Sequence, residues 1–127
     1  MKQLKLRQLP DTYGIARLEA SSPIPPWADG AGFISISRTE DELSIVCQQT
    51  RILDSVPSSL NWVCFKFVGP FAFDETGIVA SVVTPLSTGG IGVFVVSTYD
   101  GDHVLIKSQD LEQSKTLWEN AGHTIIG

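Results

Sequence analysis

Two different periods of apolar residues follow one another in the second half of the chain. The run WVCFKFV (Trp62–Val68) is rich in aromatic and β-branched residues, which predicts a strand. Apolar residues at 78, 79, 82, 83 and 86 then follow helical spacing, which predicts a helix from about Thr76 to Ser87. Cap-type residues at 74–76 precede it and Gly89-Gly90 follow it, while Pro85 should bend its last turn.

The pattern after this helix predicts a hairpin, a second helix and a last strand. The predicted elements are a strand at 91–99, a two-residue turn at Asp100-Gly101, a strand at 103–107, a helix capped by Asp110 and ended by Gly122, and a short strand at 124–126. The order is therefore β-α-β-β-α-β, which is the ferredoxin-like arrangement.

The first half is a weaker copy of the second. When the numbering is shifted by sixty, residues 33–50 fall on residues 93–110, so that strand, acidic turn, strand and cap recur. This predicts an internal duplication. Three prolines and two glycines within residues 23–32 allow at most one turn of helix after Pro26. The predicted fold is therefore α+β, with two tandem ferredoxin-like units at 1–60 and 61–127, the first with a degenerate first helix and residues 56–61 as a linker.

Composition excludes several classes of function. The chain has 127 residues, a net charge of −5 and no large cluster of Lys or Arg, so duplex nucleic acid is not an expected partner. The N-terminus lacks the apolar core of a signal peptide and no apolar run is long enough for a membrane span, so we expect a cytoplasmic protein. Cys47 and Cys64 lie in apolar runs, and we expect both to be reduced and buried.

The sequence contains no pattern typical of a catalytic or cofactor site. A catalytic-serine, zinc-protease, phosphate-loop or paired-cysteine motif is absent, so we expect no enzyme activity and no cofactor. His103 and His123 follow a turn and a helix end, where we expect surface or edge side chains. The segment Asp100-Gly101-Asp102-His103 admits a metal site as an alternative, but a solvated turn is the expected reading.

Polar residues at two changes of chain direction favour a ligand site. In a βαββαβ unit, the loop before the first helix and the end of the second strand lie at the same end of the sheet. The amides of Gly77, Ile78 and Val79 would suit a carboxylate. Glu75 and Asp102 would suit an ammonium or guanidinium group of the same zwitterionic molecule. The alternative is that the acidic residues near 74 only cap the helix and those near 100 only form a turn.

The segment FDETGIVASVVTPLSTGGIGVFVVSTYDGDHVLIKSQDLEQS (73–114) resembles an ACT domain. It is more closely similar to the Castor-type arginine sensors and their small bacterial two-ACT relatives. The motifs that carry the resemblance are D-E-x-G-I-V at 74–79, P-L at 85–86, G-I at 90–91, S-T-Y-D-x-D at 97–102 and V-L-I-K at 104–107. The run ISISRTEDELSIV at 34–46 resembles the degenerate N-terminal ACT unit of the same group.

This resemblance implies a regulatory protein that binds a free amino acid at the interface between ACT units, with a cationic amino acid such as arginine as one candidate. The implied ligand-binding residues are Glu75, Thr76, Gly77, Ile78, Val79, Thr98, Tyr99, Asp100 and Asp102. The sensors have four ACT units and this chain supplies two, so a homodimer is the simplest way to complete the pocket. The alternative function is a structural or protein-interaction module that binds no ligand.

Overall fold

The computed structural model describes residues 2–69, 71 and 75–127. Its elements are β1 (Lys5–Gln8), β2 (Tyr13–Leu18), β3 (Ser35–Arg38), β4 (Leu43–Gln48), β5 (Ser58–Phe67), α1 (Ile78–Thr88), β6 (Phe94–Ser97), β7 (Asp102–Lys107), α2 (Leu111–Asn120) and β8 (Thr124–Ile126). The mixed α+β class predicted from the sequence is confirmed.

The chain divides into two compact units. The C-terminal unit combines the residues through Leu9 with Val63–Gly127, and the N-terminal unit is Pro10–Trp62. The division predicted between residues 60 and 61 places the first nine residues in the N-terminal unit, whereas the structure places them in the C-terminal unit. Strand β5 runs through the division, so residues 58–61, predicted as a linker, are part of a strand. No helix among the described residues is long and apolar enough to cross a membrane.

The C-terminal unit has the strand order β6-β7-β5-β1-β8. In a plain ferredoxin-like sheet the first and last strands of the βαββαβ unit are neighbours, and here β1 lies between them. β1 pairs antiparallel with β5 and parallel with β8. Both helices pack on the sheet face that carries Leu6, Phe65 and Phe67, and Trp118 of α2 is fully buried there. Its indole Nε1–H donates to the carbonyl of Val82, which joins the two helices at 2.9 Å.

Helix α1 begins two residues later than predicted. Gly77 has φ of 80°, a left-handed conformation that cannot continue into a right-handed helix, so the first helical residue is Ile78. The helix ends at Thr88, one residue beyond the predicted Ser87, and Gly90 with φ of 80° follows its C-cap Gly89. Pro85 lies inside α1, and the buried positions Ile78, Ser81, Val82 and Leu86 form its inner face.

The predicted β6–β7 hairpin is present, but its turn is longer than two residues. Ser97 pairs with Asp102, which leaves a four-residue loop from Thr98 to Gly101. The backbone N–H of Thr98 and its hydroxyl both donate to the carbonyl of Gly101, at 2.7 and 2.9 Å. Asp100 and Gly101 are therefore the last two residues of a four-residue loop, which the hydrogen bonds of Thr98 hold closed.

The N-terminal unit repeats this hairpin, and the structure corrects the offset of the repeat. Ser35 corresponds to Phe94 and Leu43 to Asp102, an offset of 59 residues and not sixty. At this offset Thr39 falls on Thr98, and its N–H and hydroxyl both donate to the carbonyl of Glu42 as those of Thr98 do to Gly101. The predicted duplication therefore has a shared loop as well as a shared strand pattern.

The N-terminal unit lacks both helices of the ferredoxin-like pattern. Within residues 10–62, all of which the structure describes, only 3₁₀ turns at Pro26–Ala28 and Gln49–Arg51 occupy the helix positions. The first agrees with the predicted single turn after Pro26. The turn at Gln49–Arg51 is not predicted by the sequence, because the shift of sixty aligns Thr50 with the helix cap Asp110. The sheet order is β3-β4-β2-β5 over a small core that includes Leu43 and Ile45.

Candidate functional site

A cleft of about 420 Å³ lies in the C-terminal unit, between the start of α1 and the β6–β7 loop. Its described lining residues are Phe71, Glu75, Gly77, Ile78, Val79, Ala80, Ser97, Thr98, Tyr99, Asp100, Gly101 and Asp102. The structure thus brings all the predicted site residues except Thr76 to one cleft. Sequence reasoning missed Phe71, Ala80, Ser97 and Gly101. Ala80 could have been found if the start of the helix at Ile78 had been known, because the first three amides of the helix are then those of Ile78, Val79 and Ala80.

Backbone amides form one wall of the cleft. The N–H groups of Ile78, Val79 and Ala80 belong to the first turn of α1, which has no intrahelical acceptors for them, whereas the N–H of Ser81 bonds to the carbonyl of Gly77. The N-cap residue is Gly77, which has no side chain to cap this turn. Asp74, which had been expected as a cap, and Phe73 lie outside the described residues. The wall therefore presents partial positive charge, which suits a carboxylate.

Carboxylates form the opposite wall. Asp102 is half-buried, and its Oδ1 accepts a short hydrogen bond from the hydroxyl of its cross-strand partner Ser97. Asp100 is exposed. Neither aspartate forms an ion pair with another described residue. One wall thus carries partial positive charge and the other carries negative charge. The cleft is therefore suited to a small molecule with a positive and a negative group.

Three predicted site residues have structural roles that their sequence pattern did not reveal. The Ile78 side chain is only 6% exposed and packs in the core, so only its backbone faces the cleft. The Thr98 hydroxyl closes the β6–β7 loop, and Thr39 does the same in the N-terminal unit. The Glu75 carboxylate forms an ion pair with Lys2, with Nζ and Oε2 2.7 Å apart.

Tyr99 stands at the rim of the cleft. It is 79% exposed, which makes it the most exposed large apolar side chain among the described residues. An aromatic ring left in water at the mouth of a cleft is typical of a surface that another molecule covers.

A second cleft of about 460 Å³ also borders the β6–β7 loop and shares Thr98, Asp100, Gly101 and Asp102 with the first. It is lined by Arg7 and Lys66, which are cross-strand partners, and by His103. His103 is half-buried on β7, which pairs with β5 and β6 and so is not an edge strand. Burial lowers the pKa of His103, the nearby charge of Lys66 lowers it further, and Asp102 opposes both effects. The imidazole is therefore biased toward its neutral form.

The expectation that His123 is a surface residue is wrong. It is 4% exposed, its Nε2–H donates to the carbonyl of Ser81 at 2.7 Å, and its Nδ1 accepts the N–H of Leu4 at 3.0 Å. Gly122, with φ of 96°, turns the chain beneath α1 and directs the ring inward. His123 thus ties the residue before β1 to the first turn of α1, next to the cleft.

The cysteines have no place in this site. Both are free and buried, as predicted. Burial raises the pKa of the Cys64 thiol to about 12. Burial also raises the pKa of Cys47, although Arg51 partly opposes it. Both side chains therefore stay protonated and act as small apolar groups. Among the residues that the structure describes, no group of three or more side chains is arranged to hold a metal ion.

Comparison with known families agrees with this architecture. The family model described as "ACT domain" matches residues 58–116, and a second model, which describes an N-terminal domain, matches residues 11–58. The match therefore shows that the chain contains an ACT domain at residues 58–116.

Among proteins of known description, the chain is similar to the "Cytosolic arginine sensor for mTORC1 subunit 1". The human protein is 32% identical over 95 residues, which cover 68% of this chain and 28% of the relative. The bovine protein is 30% identical over 89 residues, covering 64% of this chain and 27% of the relative. The chain thus spans about a quarter of the length of these relatives.

Two solved structures show how widely the fold is shared. A protein from Agrobacterium tumefaciens is 61% identical, with a TM-score of 0.96, and the match covers 99% of this chain and 94% of that one. The aspartate kinase of Clostridium acetobutylicum has a TM-score of 0.69 at 14% identity, over 95% of this chain and 35% of the kinase. The second similarity is one of fold alone.

Proposed function

We propose that this protein is a regulatory sensor that binds a free amino acid in the cleft between α1 and the β6–β7 loop. The observation that carries the proposal is the meeting of the first-turn amides of α1 with the carboxylates of Asp100 and Asp102 in one cleft. The ligand carboxylate would accept hydrogen bonds from Ile78, Val79 and Ala80, and its ammonium group would pair with Asp102.

Similarity supports the same function. The curated relatives, which match about two thirds of this chain, are described as arginine sensors. By analogy with their description as cytosolic, we propose that this protein acts in the cytoplasm. A sensor of this kind acts through a binding partner whose affinity changes with the ligand.

A homodimer would complete the site. The cleft is open at the rim where Tyr99 stands, and a second copy of the chain that covered this rim would bury the exposed ring and enclose the ligand between two ACT units. Sedimentation equilibrium with and without ligand tests this part. A protein that remains a monomer at saturating ligand would contradict the dimer and leave the cleft proposal standing.

The direct test is a thermal-shift and calorimetry screen of the twenty standard amino acids. A ligand at a concentration one hundred times its Kd stabilises the folded state by about 2.7 kcal/mol. We therefore expect at least one amino acid to raise Tm by several degrees. A flat response to all of them at millimolar concentration would contradict the proposal and favour a ligand-free interaction module.

Asp102→Asn locates the site. The substitution keeps the shape of the side chain but removes the charge that would pair with the ligand ammonium, so we expect affinity to fall by about tenfold or more. Asp54→Asn, at an exposed position in the N-terminal unit, changes the net charge equally and serves as the matched control. Equal losses in the two variants would place the effect in long-range charge and not in the cleft.

A further inference from the structure

One carboxylate of the cleft, that of Glu75, already forms an ion pair within the protein. The ammonium group of Lys2 lies 2.7 Å from Oε2 of Glu75, and Glu75 is a lining residue of the cleft. The two side chains are 42% and 30% exposed, so the pair is partly shielded from water. The positive charge of Lys2 therefore neutralises the carboxylate that a cationic ligand side chain would need.

The backbone next to Lys2 is held in place, which favours the ion pair. The N–H of Leu4 donates to His123, and its carbonyl accepts from the N–H of Thr124. The Gln3 side chain lies against Gly122, where an added Cβ would come within 2.4 Å of it. Because these contacts fix the chain two residues from Lys2, the ammonium group explores a small volume around Glu75. A group tethered in this way competes at an effective concentration of about millimolar.

We propose that Lys2 determines the ligand specificity of the cleft, by pairing with Glu75 and so selecting against amino acids with a positively charged side chain. This inference rests on the proposed function and makes it narrower. Asp100 and Asp102 remain to pair with the ligand ammonium, and the ligand side chain meets a neutralised Lys2–Glu75 pair. The favoured ligand is an amino acid with an uncharged side chain, in contrast to what the name of the curated relatives describes for them.

Arginine and citrulline provide the test, since they have nearly the same shape and differ in the charge of the side chain. Isothermal titration gives the ratio of their Kd values for each variant. In the wild-type protein we expect arginine to bind no more tightly than citrulline. In Lys2→Ala the ratio should shift toward arginine by about threefold to fivefold, the upper range for a partly exposed ion pair. In the double variant Lys2→Ala/Glu75→Gln this shift should disappear.

Lys5→Ala is the matched control, because Lys5 is exposed on β1 and forms no ion pair with the described residues. An equal shift in Lys5→Ala would assign the effect to net charge and overturn the inference. A wild-type preference for arginine that Lys2→Ala does not change would overturn it as well, with the sensor function intact. If other amino acids bind but neither arginine nor citrulline binds any variant, the inference is overturned too. A protein that binds no amino acid, wild-type or variant, would refute the sensor function itself.

Discussion

At the scale of single residues, the two histidines show how position decides the role of one side-chain type. His123 is enclosed and makes one hydrogen bond at each ring nitrogen, to the N–H of Leu4 and to the carbonyl of Ser81. His103 is half-buried on a strand, with Lys66 and Asp102 acting on it in opposite directions. The sequence predicts a surface or edge position for both, because each follows a turn or a helix end.

Neighbouring charges should move the pKa of His103 in predictable directions. Lys66→Gln removes a charge that lowers this pKa, so the pKa should rise. Asp102→Asn removes a charge that raises it, so the pKa should fall. Titration of the imidazole by NMR checks both. Shifts in the same direction for the two variants would contradict the assigned causes.

The lowered pKa of His103 also predicts a pH dependence of stability. The folded protein binds fewer protons than the unfolded chain once the pH falls below about 6.5, the ordinary pKa of histidine. Stability should therefore fall as the pH decreases from 6.5 toward the folded pKa, and it should be unaffected by this group above that range. Urea unfolding at pH 7.5 and pH 5 should show a smaller loss in His103→Gln than in the wild-type protein. An unchanged or larger loss would show that His103 does not contribute.

At the scale of elements, the N-terminal unit shows what replaces a missing helix. Residues 21–32 contain prolines that prevent a long helix, and Arg51 holds this segment instead. Its Nε donates to the carbonyl of Trp27 at 3.1 Å and its Nη1 to that of Ala31 at 2.9 Å. One guanidinium group thus binds two carbonyls that no helix satisfies.

Arg51→Lys should destabilise the protein by about 1–3 kcal/mol, although it keeps the charge. An ammonium group is compact and cannot reach both carbonyls as the planar guanidinium does, and hydrogen bonds to charged groups contribute about 1.5–3 kcal/mol. Urea unfolding measures the change. Arg7→Lys, at an exposed position without an ion pair to the described residues, should alter stability by less than about 0.5 kcal/mol. Equal effects of the two variants would show that the two carbonyl contacts contribute little.

At the scale of the whole molecule, two separate segments of the chain form the C-terminal unit. β1 comes from the N-terminus and lies between β5 and β8, and Leu6 at its centre is fully buried in the core of that unit. Leu43 has the same burial in the core of the N-terminal unit. The first strand is therefore needed by the unit that is distant from it in sequence.

Leu6→Ala and Leu43→Ala should affect different halves of the sequence. Each removes a fully buried leucine and should cost about 3–5 kcal/mol in its own unit. Amide hydrogen exchange should become faster in β8 and α2 for Leu6→Ala, and faster in β3 for Leu43→Ala. If Leu6→Ala increased exchange mainly in the N-terminal unit, the assignment of β1 to the C-terminal unit would be wrong.

Sequence periodicity determined the hairpins, both helices and the acidic β6–β7 loop, because these elements depend on contacts between residues close in the chain. It also predicted that residues near 75–79 and 98–102 meet at one end of the sheet, since that follows from the order of the elements. Tertiary structure alone decided the insertion of β1 between β5 and β8, the burial of His123 and the pairing of Lys2 with Glu75. Each of these joins residues more than forty positions apart, and the free energy of such contacts depends on packing that no local pattern encodes.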